Sequence, residues 1–473
     1  MRTGILTGRD RVPRRALVVG FARSGTAVAR VLTALKCEVV AVDDTPSPSG
    51  RAIADALGVE LVTTPREGDL RRMVEAVDLV VASPGVPPTH PVFAVAPPGM
   101  TVSEIELAYR LAADGPSIVA VTGTNGKTTV TSLVTAMLER SGVATRAAGN
   151  IGFPLVDAVV EPGLDVVVAE VSSFQLALTS SFRPAVGAWL NLAEDHLDWH
   201  RNVAEYANAK ERIWANQVDG DVAVANAEDP EVSARARRSR GRLVTFGLAS
   251  GDYREDGEHL LGPGDEVLAR RSDLRRDLPH DRANALAALA IALSAGADLP
   301  SCVDALRTAE PLAHRVELVA RLNDVDYYDD SKATTPSAVV AALAGFRSVV
   351  LVAGGRNKGL DLGAIAAYVR DGARTGGEED GVSGGDRHVL LRGVVAVGES
   401  APELQQAFAP DWPVVVVHSM DEAVAQASRL ARPGDVVLLS PGCASFDWYG
   451  SYEERGADFA RAVLELVGST GRR

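Results

Sequence analysis

The stretch "VAVTGTNGKTTVTSLV", residues 119–134, constrains this chain more tightly than any other. A β-rich apolar run enters a glycine-containing loop and a helix-forming run leaves it, so the loop joins the end of a strand to a helix N-terminus. Backbone N–H groups converge at such a place and the helix dipole favours negative charge, which makes it a phosphate site. "TGTNGKTT" carries the Gly-Lys-Thr core of a phosphate loop, with Val121 where the strict pattern has glycine. Gly123, Thr124, Asn125 and Gly126 would form the cradle, Lys127 would reach the β/γ phosphates, and Thr128, with Thr129 beside it, would turn a hydroxyl to Mg²⁺. ATP is the expected ligand, and the loop by itself leaves the reaction open.

The rest of the chain repeats the same alternation. "RALVVGFARSGTAVARVLTAL", "CEVVAVDD" and "DLVVASPGVPP" precede the loop, and "SVVLVAGG", "GVVAVGES", "WPVVVVHS" and "DVVLLSPG" come long after it. Short β-rich runs alternating with helical patterns mean parallel sheets covered by helices, hence an α/β fold. At 473 residues the chain exceeds one ordinary core. The expectation is three α/β domains: 1–115 Rossmann-like, 116–312 a central P-loop-type ATPase, and 313–473 Rossmann-like again. Residues 371–388, "DGARTGGEEDGVSGGDRH", read as a flexible surface insertion in the third.

Composition bounds the partners. A formal charge of −14 repels nucleic acid and anionic membrane, so a polyanionic ligand must be met by a local patch. No apolar run approaches the roughly 20 residues that span a bilayer, and a cytoplasmic protein is expected. Cys37, Cys302 and Cys443 lack metal-type spacing and are expected to be reduced and structural. Of 48 basic residues only Lys36, Lys127, Lys210, Lys332 and Lys358 are lysine. The expectation is that a lysine in this chain marks a place where an arginine would not serve.

Several further residues could act on a phosphate. Glu170 ends the apolar run "VVVAE", where a carboxylate is costly unless it holds a metal or a hydrogen-bond network; a structural ion pair is the alternative. "NLAEDHLDWH" gathers Asp195, His196, Asp198 and His200 after another apolar run, and Lys210 follows in "EYANAKERIW". Later come His314 and Arg315 in "AHRVELV", Asp330, Lys332 and Thr334 in "YYDDSKATTPSA", and Lys358 in "GGRNKGLD". Turn chemistry alone would also place such residues in loops. Near the start, "GFARSG" approaches the dinucleotide fingerprint with Ala22 for its middle glycine, and Asp43 sits where an acidic residue would meet a ribose or base.

Taken in order, "VTGTNGKTT", "AGNIG", "EVSSFQL", "NLAEDHLDWH", "YANAKERIW", "HRVE", "DDSKATTPSA", "GGRNKG" and "LLSPGCASFDWYGSYEERG" resemble the Mur ligases of peptidoglycan synthesis over nearly the whole chain, most of all the members that add D-glutamate. The resemblance implies a reaction: ATP phosphorylates the carboxylate of UDP-N-acetylmuramoyl-L-alanine, and the amine of D-glutamate displaces phosphate from the acyl phosphate. It implies that Lys127, Glu170, His196 and Lys210 are catalytic. Thr128, Glu170, His196 and a carbamoylated Lys210 would serve two Mg²⁺ ions, with Mn²⁺ a substitute. Asn284, Arg315 and Asp330 would join the phosphate loop in holding ATP. Ser24, Asp43, Ser83 and Gly85 would meet the UDP portion and Asn150 the muramoyl-alanine end. Lys332, Thr334, Lys358, Ser445, Phe446 and Tyr452 would surround D-glutamate. A monomer whose C-terminal domain closes on its substrates is expected.

Two places depart from the pattern. Where the family commonly has His-Asn-x-x-Asn this chain reads "HDRAN", so Asp281 cannot donate as asparagine would, and Phe446 and Tyr452 stand where members vary between aliphatic and aromatic. The rival readings are a sister ligase that adds L-alanine, a folylpolyglutamate synthase, a nucleotide-binding regulator without turnover, and an NAD oxidoreductase.

Overall fold

The computed structural model describes residues 12–112, 115–197, 199–375 and 389–470. They divide into two compact units. The first takes the chain up to Leu192 with Trp199–Asp273 and Asn284–Thr308; the second takes Ala193–Asp198, Leu274–Ala283 and the residues from Ala309 on.

In the first unit β1 (Arg15–Val19), β2 (Glu38–Val42), β3 (Glu60–Val62), β4 (Leu79–Ala82) and β5 (Thr101–Ser103) form a parallel sheet in the order 3-2-1-4-5. The central strands β1 and β4 are short apolar runs covered on both faces, which is how parallel sheets are stabilised. The order reverses between β1 and β4, and ligands of such sheets sit in the crevice beyond the carboxyl ends there.

A second parallel sheet follows in the same unit: β6 (Ser117–Thr122), β7 (Thr145–Gly149), β8 (Val166–Glu170), β9 (Val186–Trp189), β10 (Val222–Asn226) and β11 (Arg242–Phe246), in the order 11-10-9-6-8-7. A small antiparallel sheet, β12 (Arg254–Glu255), β13 (His259–Leu261) and β14 (Val267–Arg270), comes next in the chain.

The two parallel sheets share one buried apolar cluster, from Ala16 and Val18 to Ala120, Val167 and Trp189. Two buried carboxylates join them. On the helix Glu104–Leu111, Glu104 accepts the Val156 N–H at 2.6 Å, and Glu106 accepts the N–H groups of Ser180, Ser181 and Phe182 and the Ser180 and Ser181 hydroxyls, with Arg110 at 2.9 Å. The first two expected segments therefore lie in one unit.

The second unit carries β15 (Glu317–Leu322), β16 (Val325–Asp329), β17 (Ser348–Gly354), β18 (Leu390–Val397), β19 (Val414–Val416) and β20 (Val436–Leu439) in the order 15-16-20-17-18-19. The β15–β16 pair is antiparallel and every other pairing is parallel. Apolar clusters cover both faces. The expected insertion begins later than its composition suggests: residues 371–375 continue the helix Gly363–Thr375, and 376–388 lie outside the described residues. No helix among the described residues is long and apolar enough to cross a membrane.

Candidate active site

The phosphate loop leaves β6, the strand between β8 and β9, and Gly126 caps the helix Lys127–Arg140 at φ 83°. That left-handed value suits glycine, and Asn284 Oδ1 would lie 2.5 Å from a Cβ there. Asn284, on the helix Pro279–Ser294, is thus set against the loop. Lys127 Nζ donates to the Gly123 and Thr124 carbonyls at 2.7 and 2.8 Å. Thr128 and Thr129 occupy the first helical turn.

Asn191, just past β9, steadies the loop from the neighbouring strand. Its Oδ1 accepts the Asn125 N–H at 2.8 Å, its Nδ2 donates to the Asn125 carbonyl, and its own carbonyl takes the Thr124 N–H. Lys210, on the helix Val203–Glu211, is 1% exposed; its Nζ donates to the Gly123 carbonyl at 2.8 Å and lies over the Tyr206 ring.

Glu170 ends β8, next to β6. It is 3% exposed; Oε1 accepts from Asn150 Nδ2 at 2.8 Å, whereas buried Oε2 has no hydrogen-bond partner among the described residues. A buried carboxylate oxygen without a partner is costly, and a cation would satisfy it. A carboxylate oxygen is the hard donor that Mg²⁺ prefers.

Asn150 also lines a cavity of about 600 Å³ at the carboxyl ends of β1, β2 and β4, with Ser24, Asp43, Ser83 and Gly85. Asp43 shapes this cavity as well as facing it, because its carboxylate accepts the Phe21 and Thr45 N–H groups. The Ser83 hydroxyl donates to the Gly20 carbonyl. A second cavity of similar size, lined by Arg15, Glu60, Arg66 and Arg72 among others, holds none of the expected site residues.

In the second unit, Asp330 follows β16 and is 6% exposed. Burial pushes its carboxyl up to about 7, against the Ser440 hydroxyl and the charge of Arg315, which favour the anion. His314 Nδ1 lies 2.6 Å from Asp329 Oδ2, and Lys332 Nζ lies 5.2 Å from the Tyr452 ring centroid. Arg455, 2% exposed, donates to the Ser331 hydroxyl and carbonyl and to the Cys443 carbonyl, fastening the Asp330–Thr334 loop to the loop that carries Ser445 and Phe446. Arg356 and Ala444 exchange backbone hydrogen bonds, which brings the Lys358 loop alongside. Lys358 and Phe446 are exposed and Ser445 is buried.

His196 belongs to the short stretch grouped with the second unit and takes φ 56°, its N–H donating to Asp195 Oδ1. Asp198 lies outside the described residues. His200 is a core histidine: it is 3% exposed, contacts the Phe174, Trp199 and Tyr206 rings, and has Nε2 2.9 Å from Ser173 Oγ. Among the described residues, the grouping of histidine and carboxylates close enough to hold a cation is His314, Glu317 and Asp329, in which His314 hydrogen-bonds both carboxylates.

Comparison with known proteins now decides the family. Residues 121–292 match the Mur ligase middle domain, and 314–443 match the domain described as Mur ligase, glutamate ligase domain. The chain is 40% identical to a protein of Pelotomaculum thermopropionicum over 97% of this chain and 99% of that one, and 42% identical to one of Frankia casuarinae over 96% and 94%. Both are named UDP-N-acetylmuramoylalanine-D-glutamate ligase.

The chain belongs to the Mur ligase family.

Solved structures agree on the fold. The UDP-N-acetylmuramate-alanine ligase of Thermotoga maritima aligns at a TM-score of 0.57 and 20% identity over 96% of this chain and 99% of that one. A MurF ligase from the same organism, in complex with ADP, aligns at 0.56 and 16% over 97% and 100%. Against this Mur ligase frame, the sequence reading missed Asn191 and Arg455. Both stand inside motifs it quoted, and nothing local marks them, because their partners lie elsewhere in the chain.

Proposed function

We propose that this Mur ligase joins D-glutamate to UDP-N-acetylmuramoyl-L-alanine with ATP, releasing ADP and phosphate. The observation that carries the reading is Asn150: one side chain lines the 600 Å³ cavity of the first sheet and hydrogen-bonds Glu170, the carboxylate beside the phosphate loop's strand. A substrate held in that cavity by its nucleotide would extend its other end toward the γ-phosphate. Relatives named for this reaction, 40 and 42% identical over nearly the full chain, support it.

A carboxylate is a poor electrophile. Its oxygen attacks the γ-phosphorus, the bond to the β-phosphate oxygen breaks, and ADP leaves. The neutral amine of D-glutamate then attacks the acyl carbon, the C–O bond to phosphate breaks, and the amine proton departs. Lys127 and the loop N–H groups hold the β/γ phosphates, and the catalysis is mostly positioning and charge stabilisation. Thr128 and Glu170 would hold one Mg²⁺; His196 and Lys210 would serve a second, with Mn²⁺ as a substitute. Bound metal would supply neutralisation of the phosphoryl charge. Lys210 would serve that second ion as an anionic carbamate, formed when its neutral amine adds to CO₂ and loses a proton. Asn284, Arg315 and Asp330 contact the nucleotide of ATP. Ser24, Asp43, Ser83 and Gly85 hold the UDP portion. Lys332, Thr334, Lys358, Ser445, Phe446 and Tyr452 form the D-glutamate pocket, with lysine charge for its side-chain carboxylate. All these roles lie on one chain, in keeping with a cytoplasmic monomer acting on small molecules and not on nucleic acid.

The test is phosphate release and product mass with ATP, Mg²⁺ and UDP-N-acetylmuramoyl-L-alanine, comparing D-glutamate, L-glutamate, L-alanine and no amino acid. Release confined to D-glutamate is expected. Release with L-alanine, or without any amino acid, would overturn the assignment.

A further inference from the structure

Arg315 sits in strained backbone. His314 and Val316 flank it at φ 59° and 47°, and positive φ in a β-branched residue is a true outlier that surroundings must enforce. The enforcing groups lie in the second unit. Val316 is 3% exposed; its carbonyl accepts from Arg276 Nη1 at 2.8 Å, and the same nitrogen donates to the Arg315 carbonyl. Asp281 grips the other two nitrogens of that guanidinium, Nε and Nη2, at 2.6 Å each. The side chains of Arg276 and Asp281 are only 22% and 14% exposed.

We propose that Arg276 and Asp281 form a clamp that fixes the backbone of residues 314–316 and thereby aims Arg315 at the nucleotide, so that Asp281 is a positioning residue and not a nucleotide contact. The inference rests on the reading above in which Arg315 holds ATP. It also accounts for the departure from the family pattern. An asparagine at 281 would match the guanidinium with one acceptor oxygen and no charge, whereas aspartate meets two N–H groups in the paired fork geometry. Arginine is equally specific, since lysine has no planar fork with a third nitrogen left for the carbonyls. Of the other groups facing Asp281, His280 Nε2 lies 3.5 Å from its Oδ1, and burial lowers the pKa of that imidazole, so Arg276 is the cation that answers the carboxylate.

The experiment is steady-state kinetics on D281N, R276Q, the double variant, R276K and R315Q, with a melting curve for each. D281N and R276Q should each raise KM for ATP about tenfold, with KM for D-glutamate and for the UDP-substrate within about twofold. The double variant should be no worse than either single, because both break the same clamp. R276K should recover little. If D281N, which restores the common family residue, leaves KM for ATP unchanged or lowers it, or if the double variant is additive, the clamp is wrong. The outcome for R315Q separates the two claims. Unchanged KM for ATP in R315Q refutes Arg315 as a nucleotide contact; a raised value there with unaffected clamp variants refutes the clamp alone. Should R276Q fail to fold, D281N carries the test, since it preserves volume.

Discussion

Gly126→Ala would test the phosphate loop with a single methyl group. At φ 83° alanine costs roughly 1–2 kcal/mol of backbone strain. Its Cβ would also lie 2.5 Å from Asn284 Oδ1 and 3.4 Å from Leu190 Cδ1. The Asn284 side chain can rotate away, at the scale of one hydrogen bond, about 1 kcal/mol. Together these give about 2–3 kcal/mol and a melting temperature lower by about 4–10 °C. Gly264→Ala is the control, because Gly264 has φ 74° and nothing within 4 Å of an added Cβ, so it suffers the strain alone. Function should separate the variants further. Displacing Asn284 and the first helical N–H groups should raise KM for ATP more than tenfold in G126A and leave it unchanged in G264A. Differential scanning fluorimetry and initial rates against ATP read both effects. Equal melting losses with unchanged KM for ATP would refute the argument that Asn284 and the loop form one site.

Other predictions concern buried charge. Burial raises the Glu104 carboxyl from 4.5 to about 7. The folded state therefore binds the proton more tightly; the contribution is fully present below pH 4.5 and is lost as pH rises through 7, about 3 kcal/mol in all. Urea unfolding at pH 5 and pH 8 should show this loss, and Glu104→Gln should remove most of it; an unchanged slope would count against the assignment. Lys210→Arg should abolish ligation, since a guanidinium cannot form a carbamate, and overpacking should cost about 1–3 kcal/mol. Retained turnover would exclude lysine chemistry. Arg455→Lys should leave buried acceptors unmet at about 2–3 kcal/mol and raise KM for D-glutamate more than KM for ATP, as urea midpoints and kinetics would report.

Much of this arrangement was legible in the sequence because parallel sheets and phosphate loops are written locally. "RALVV" and "SVVLVAG" are runs long enough for a strand and too short for a helix, and they became β1 and β17. Long-range satisfaction was not legible. The helix "EIELAYRL" buries both of its glutamates, Glu104 and Glu106 being 1% and 0% exposed, because the backbone N–H groups that donate to them are 52 to 76 residues away. His200 shows the same thing in reverse: its neighbours in sequence include carboxylates, whereas its neighbours in space are aromatic rings.

The scarcity of lysine shows how far composition can carry an inference. Lys127 and Lys210 both converge on the Gly123 carbonyl, where a compact ammonium fits and a planar guanidinium would not. Lys332 lies over an aromatic ring and Lys358 stands exposed in a loop joined to Ser445's, so their sites demand charge but do not by themselves demand lysine. Lys36 takes φ 68° just past the helix Arg23–Ala34, with no expected ligand near it in the sequence reading. The rarity argument therefore has force only where burial adds to it. An exposed arginine could replace Lys36 at little cost, within about 0.5 kcal/mol, and the same exchange at Lys210 should be disabling. Comparing those two substitutions in one assay separates a residue chosen for its chemistry from one kept by chance.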